Sequence, residues 1–395
     1  MKGKLKMSKI KLGILGVGNI GKLHLDNYLG GHCPSVEVSA VCDIDPKQLE
    51  YARSKHPNVV CFDDAVKMFD SGVIDTVIIA VPHYDHPTYA IEAFSRGIHV
   101  ITEKPAGVYT RKVREMNEAA DRAGVKFGIM FNQRTNKLYA KAREIVQSGE
   151  LGELKRLVWI VTNWYRTQAY YDSGSWRATW NGEGGGVLLN QAPHNLDLWQ
   201  WIFGMPSRVR AFCSFGKYHD VAIEDDVTIY GEYENGAVAT FITTTGEAPG
   251  TNRLEISGDR GKIVIEGGKL KWWKLETPER EFCYTCEKGM AMPKTVYEEF
   301  DDESVNGHAV VLEAFARSIL YNEEPIADGR EGLNSLSISN AAYISTWTGE
   351  YADIPVNEEI FEAHLRELCS KEVKNSKTAV SESSETMRER WKVRW

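Results

Sequence analysis

Three places in this 395-residue chain carry residue types that can do chemistry together. Gly16-Val17-Gly18-Asn19-Ile20-Gly21 is a glycine turn with the spacing that cradles a pyrophosphate; Glu103-Lys104-Pro105 supplies an ammonium; His194 supplies an imidazole near Asn190 and Asp197. Such a turn uses its glycines separately, for the tight bend, for close backbone approach to phosphates, and for packing helix on strand. An ammonium can hydrogen-bond a reacting oxygen and a neutral imidazole can take a hydroxyl proton, so the set reads as acid–base chemistry beside a bound dinucleotide. Taken singly, each has a plainer reading. A glycine turn can hold nothing, a lysine at a strand end is commonly solvated, and a lone helical histidine is commonly structural.

The elements around the turn favour the ligand. Residues 9–16 read as a short apolar strand, and the pattern after the turn is helical to Leu29. A second strand, 36–42, ends in Asp43, 22 residues after Gly21, where a carboxylate can accept from ribose hydroxyls. Asp43 would repel a 2′-phosphate and Ile44-Asp45 offers no arginine to receive one, so NAD is expected rather than NADP. Helices 46–55, 64–69, 86–96 and 111–123 then alternate with strands 59–62, 75–81, 99–102 and 125–131, which predicts an α/β Rossmann domain with a doubly wound parallel sheet. Ligands of such sheets lie beyond the C-terminal strand ends. That puts Pro82, His83 and His86, then Glu103 and Lys104, on the cofactor side, with Asn132 grouped beside them. His86 reads equally as a cofactor contact or as a helix start.

After Asn132-Gln133-Arg134 and a helix over 137–148 the pattern changes to strands and hairpin turns, predicting an α+β domain with an open, mostly antiparallel sheet. Between its first two strands lies the stretch from Gly182 to Trp201. On a helix Asn190, His194 and Asp197 share one face, at i, i+4 and i+7. Pro193 means that this helix is kinked or starts near Ala192, and in the second case Asn190 lies outside it. Asp197 is expected to orient or cap. Six of the eleven tryptophans fall within 159–201, together with Tyr165, Tyr170, Tyr171, Arg166 and Arg177. Aromatic faces beside Asn, Gln and Arg donors suit a polyol, and a core or subunit interface is the alternative. The expected substrate residues are Lys104, Tyr165, Arg166, Arg177, Asn190, Gln191 and His194. Cys283 and Cys286 form a C-x-x-C in a strand-like context with no second pair, so no metal site is expected. The expected organisation is a cofactor domain at 1–131, a substrate and oligomerisation domain at 132–369, and a flexible tail at 370–395 whose end, Arg388 to Trp395, docks onto a neighbouring subunit.

Composition narrows the classes further. A net charge of −8, from 47 basic and 55 acidic residues, works against a nucleic-acid interface. The seven cysteines are scattered and odd in number, as for free thiols in a reducing compartment. No apolar run reaches the length of a membrane span and no cleavage site follows the lysines at the start, so a cytoplasmic protein is expected.

The glycine turn, Glu103-Lys104-Pro105, and the glycine stretch leading to His194 and Asp197, in that order and spacing, resemble the Gfo/Idh/MocA oxidoreductase family over residues 8–365. The resemblance implies a Rossmann domain plus an open sheet domain, homodimers or homotetramers assembled through that sheet, and Lys104 and His194 flanking a nicotinamide. Many members carry an aspartate four residues before the histidine; Asn190 stands there instead, able to orient a hydroxyl but not to serve as base. Asn190-Gln191 ahead of Pro193-His194 is similar to the branch that oxidises pyranosides and sugar nucleotides at C3, and the resemblance favours a glucoside 3-dehydrogenase over an inositol dehydrogenase. The implied reaction is reversible hydride transfer from a secondary hydroxyl of a sugar or glycoside to NAD, giving a keto-sugar, with Lys104, His194 and Asn190 as catalytic residues. An inositol or nucleotide-sugar dehydrogenase of the same fold, and a non-catalytic dinucleotide-binding regulator, are the rival readings.

Overall fold

The structure is a computed structural model that describes residues 8–174, 176–303 and 305–372. The docking arm expected at Arg388 to Trp395, and nearly all of the expected tail, lie outside the described residues. The chain divides into two compact units: the first takes residues up to 135 together with 305–333, the second takes 136–303 and the residues from 334 onward. A single boundary near 131 therefore leaves out a segment that returns to the first unit.

The first unit holds β1 (Ile10–Leu15), β2 (Val36–Cys42), β3 (Val60–Phe62), β4 (Thr76–Ile79), β5 (His99–Thr102) and β6 (Phe127–Ile129), alternating with α1 (Asn19–Leu29), α2 (Pro46–Lys55), α3 (Ala65–Asp70), α4 (Asp85–Phe94) and α5 (Thr110–Ala123). Every pairing is parallel, in the order β3-β2-β1-β4-β5-β6. The order reverses at β1, which places a ligand crevice at the C-terminal ends of β1 and β4. Helices cover both faces, so β1 and β4 are buried almost throughout and read as continuous apolar runs rather than alternating ones. Each fully buried Ile, Leu or Val contributes about 1.5–3 kcal/mol. The segment 305–333 joins this core because its helix, Gly307–Tyr321, brings Leu312, Phe315 and Ala316 against Ile10, Leu12 and Leu25. Gly128 in β6 makes room for it: a Cβ there would meet the Phe315 ring at 2.8 Å.

The second unit contains β7 (Leu154–Val161), β8 (Arg208–Phe215), β9 (Glu224–Glu232), β10 (Val238–Thr244), β11 (Asn252–Gly258), β12 (Gly261–Glu266), β13 (Lys269–Leu275), β14 (Thr295–Asp301) and β15 (Ala352–Asp353). They form one sheet, β14-β13-β12-β11-β7-β10-β9-β8-β15. Only β7 and β10 pair in parallel; the other pairings are antiparallel. The helices are α6 (Lys137–Gln147), α7 (Gln168–Tyr171), α8 (Pro193–Phe203), α9 (Glu279–Thr285), α10 (the Gly307–Tyr321 helix of the first unit), α11 (Gly332–Thr348) and α12 (Glu358–Lys371). Strands such as β8 alternate buried and open positions, with Val209 and Ala211 inward and Phe212 outward, as a sheet with one covered face requires.

Two expectations need correcting. Cys283 lies in α9 and Cys286 caps it, so the C-x-x-C sits on a short helix and not on a strand. The tryptophan concentration is chiefly core: Trp159, Trp164, Trp180 and Trp199 are buried, with Trp199 stacked on Phe241 at 5.9 Å. Packing of large rings accounts for these four.

Candidate active site

In the first unit the glycine turn follows β1 directly. Gly16 has φ 89°, which only glycine adopts freely, and a Cβ on it would meet the Ala80 carbonyl at 2.6 Å. At Gly21 a Cβ would run into the Gly16 carbonyl oxygen, so this glycine is what lets α1 close on β1. Gly18 differs: nothing lies within contact distance of a Cβ there. Gly18 and Asn19 are exposed, Ile20 is half-buried, and no side chain caps the N-terminus of α1. Uncapped first-turn N–H groups beside an open glycine are what a phosphate needs. Asp43 ends β2, accepting from Val17 N–H at 2.7 Å and Asp45 N–H at 2.8 Å. One oxygen holds the glycine turn and the other holds the chain at Asp45, and each keeps a lone pair for a ribose hydroxyl.

Beyond β4 and β5, Pro82 is exposed, His83 is buried, and Lys104 is half-buried. His86 stands in the first turn of α4, after Asp85, and its ring nitrogens lie 2.7 Å from the Pro105 carbonyl and 2.8 Å from that of Val81. A ring buried between two main-chain oxygens braces the turn; burial, against those two carbonyls, pushes its pKa down. Glu103 follows β5 directly and is buried. Its side chain points inward, with Oε1 2.8 Å from His24 Nε2. Burial opposes its ionisation, and the hydrogen bond from His24 together with the positive charges of His24, His308 and Lys104 outweighs that and holds the carboxyl below its ordinary value. Asn132 is buried with its Nδ2 3.4 Å from His308 Nδ1, and its Oδ1 meets no hydrogen-bond partner. The open face at Gly18, the uncapped helix and this spare acceptor fit a dinucleotide.

In the second unit, Pro193 stands at the first position of α8 with Ala192 as its N-cap, where a proline costs no hydrogen bond. Asn190 therefore precedes the helix. His194 is buried in the first turn, and Asp197, also buried, accepts from Gln200 Nε2 at 3.0 Å, an orienting contact. Asn190 is held by Glu183, which takes a hydrogen bond from its Nδ2 and another, at 2.7 Å, from the Ala178 N–H. Arg177 Nη1 lies 3.6 Å from Glu183 Oε1 and donates to the Tyr170 hydroxyl at 2.9 Å. Gln191 Nε2 donates to the same hydroxyl at 3.3 Å, while its Oε1 is buried and meets no hydrogen-bond partner. Arg177, Asn190 and Gln191 thus converge on two groups, Glu183 and Tyr170. Arg166 is only partly of this set. Its guanidinium lies 4.9 Å over the Tyr170 ring, yet its Nη1 is committed to the carbonyls of Trp164 and Tyr165. Tyr165 itself is exposed.

The glycine stretch before Asn190 is shaped by Glu224, which is completely buried. Its oxygens accept from Gly186 N–H at 2.8 Å and Leu188 N–H at 2.9 Å. A Cβ at Gly186 would strike the Glu224 main chain, and one at Gly185 the Tyr343 hydroxyl. Burial, against those two donors, raises the Glu224 carboxyl to about 7. Sequence reasoning missed Glu183, Glu224, Tyr170 as an acceptor, and the His24–Glu103 pair. Only Glu183 offered a local signal, a lone carboxylate between glycines.

Residues 10–131 match the oxidoreductase family's NAD-binding Rossmann fold, and residues 139–264 match the Gfo/Idh/MocA C-terminal domain. Among curated relatives, D-glucoside 3-dehydrogenase of Escherichia coli is 25% identical over 90% of this chain and 100% of its own. Inositol 2-dehydrogenase of Rhizobium meliloti is 23% identical over 84% of this chain and 96% of its own. Among solved structures, the WlbA dehydrogenase of Bordetella pertussis, in complex with NADH and UDP-GlcNAcA, is 26% identical with a TM-score of 0.76, covering 88% of this chain and 100% of that one. With both domains matched in order and the dinucleotide turn in place, the chain belongs to the Gfo/Idh/MocA family of NAD-binding oxidoreductases.

Proposed function

We propose that this protein is a sugar dehydrogenase that prefers NAD and oxidises a secondary hydroxyl, at C3, of a neutral pyranose or glycoside. The observation that carries this reading is the cluster before α8. Asn190 and Gln191 are oriented by Glu183 and Tyr170, and Gln191 Oε1 is a buried acceptor with no hydrogen-bond partner. A buried acceptor without a donor favours a ligand that brings hydroxyl protons. The charge of Arg177 faces Glu183 at 3.6 Å, which favours a neutral sugar over an acidic sugar nucleotide. The likeness to a D-glucoside 3-dehydrogenase supports the same choice. Asp43 supports NAD over NADP.

In this reading His194 serves as the base for the hydroxyl proton, Asn190 as the amide that orients the hydroxyl, and Lys104 as the polarising ammonium. When bound, the nicotinamide supplies the hydride acceptor. Most of the rate comes from orientation and fixed dipoles rather than from the strength of any one acid or base. The exposed face of the second unit's sheet, with Phe212 and Tyr230 outward, is proposed as a homodimer or homotetramer contact; a monomer mass by light scattering would remove that part. A cytoplasmic location is proposed from the cysteines, none of which forms a disulfide among the described residues.

The test is a panel of polyols, glycosides and cyclitols, read by NADH absorbance, with the new carbonyl located by NMR. A 3-keto-glycoside supports the reading; an inosose, or no turnover with any of them, refutes it. His194→Ala should lose turnover at least 100-fold, on the scale of general-base removal (~10²–10⁴), with NADH affinity retained.

A further inference from the structure

The turn Glu103-Lys104-Pro105 is gripped at both ends by buried side chains of the first unit, and Lys104 between them is the one residue of the three that is not buried. At the first end, His24 from α1 lies 2.8 Å from Glu103 Oε1, and Glu103 Oε2 accepts the main-chain N–H of Lys104 at 3.3 Å. At the other end, His86 from α4 lies 2.7 Å from the carbonyl oxygen of Pro105. The Glu103 N–H is tied in turn to the Ile79 carbonyl at 2.9 Å, and the His308 ring of α10 stands edge-on to His24 at 5.8 Å. A three-residue link beyond a strand would otherwise keep soft dihedrals, and a lysine side chain adds rotamer freedom of its own.

We propose that His24 and His86 are positioning residues for Lys104, holding through Glu103 and the Pro105 carbonyl the backbone from which its ammonium projects. The proposal rests on the role given to Lys104 above. Displacing a catalytic group by about 1 Å costs on the order of 100-fold in rate, so the grip acts on turnover rather than on cofactor affinity. His24 sits within α1, away from the glycine turn that meets the phosphates, so its loss leaves the dinucleotide contacts in place.

The experiment compares His24→Leu, His24→Gln and His86→Leu with the full-length parent. His24→Gln keeps an N–H donor for Glu103 and is the rescue variant. At saturating NAD and glycoside, kcat should fall at least tenfold in both leucine variants and recover to within threefold of the parent in His24→Gln, with the Kd for NADH unchanged within threefold in all. Reaction of the Lys104 amine with an acylating reagent, followed by peptide mass spectrometry with and without NADH, gives a readout that needs no sugar substrate. NADH should protect Lys104 in the parent and in His24→Gln, and protect it at least fivefold less in the leucine variants. Should the parent oxidise no sugar, the assigned reaction fails while the labelling still decides the positioning role. Protection unchanged in the leucine variants, or kcat within twofold of the parent, overturns the proposal. So does an equal loss in His24→Leu and His24→Gln.

Discussion

The glycine turn separates into a glycine that serves the fold and a glycine that serves the ligand, and two alanine variants should show it. At Gly21 the added methyl meets a carbonyl oxygen of the same turn, a backbone atom that cannot rotate away. Helix α1 must move off β1, and overpacking of this kind costs about 1–3 kcal/mol. At Gly18 the added methyl meets nothing, and the backbone there, φ −67° and ψ −161°, is extended and open to alanine. Gly18→Ala should therefore change stability by less than about 0.5 kcal/mol, as surface substitutions do. It should nevertheless place the methyl in the space a pyrophosphate takes, lowering NADH affinity at least tenfold, about 1.4 kcal/mol. Urea denaturation gives the first quantity and NADH fluorescence titration the second. Parental affinity in Gly18→Ala would show that the open face is not where the dinucleotide lies. Parental stability in Gly21→Ala would show that α1 and β1 are not packed as described.

Further outcomes follow from other contacts. Asp43→Asn leaves one of the N–H groups of Val17 and Asp45 without its carboxylate oxygen, and should weaken NADH by about tenfold while raising the NADP-to-NAD activity ratio, read from paired kinetics. Glu183→Gln should lower stability by about 1–3 kcal/mol and kcat/KM at least tenfold, because the buried donors of Ala178 and Asn190 lose a charged acceptor; unchanged kcat/KM would detach the cluster from the substrate. Glu224 titrates at about 7 in the folded protein against 4.5 ordinarily, so the protonated form is the one favoured by folding. Its contribution is complete below 4.5 and is lost as pH rises through 7, a decline of about 3 kcal/mol. Denaturation measured at pH 5 and pH 8 should show most of that decline in the parent and a flatter profile in Glu224→Gln; equal slopes would contradict the assignment.

By itself the sequence determined the two-part architecture and the cofactor class. Periodicity and glycine spacing are local properties: a buried parallel strand reads as an apolar run, an alternating one as a sheet with an open face, and a turn that must accept phosphate shows its glycines and the acid at the end of β2. The spacing also offered Asn190 and His194 as a pair and left the effect of Pro193 open. Tertiary structure decided what long-range partners control. It put α10 on the first unit's core through Phe315, turned Glu103 and His86 inward as braces, and oriented Asn190 through Glu183. No sequence rule sees these, because the partner of a buried polar group is set by which elements pack together rather than by its neighbours in the chain. A buried charge takes whatever donor the fold brings to it.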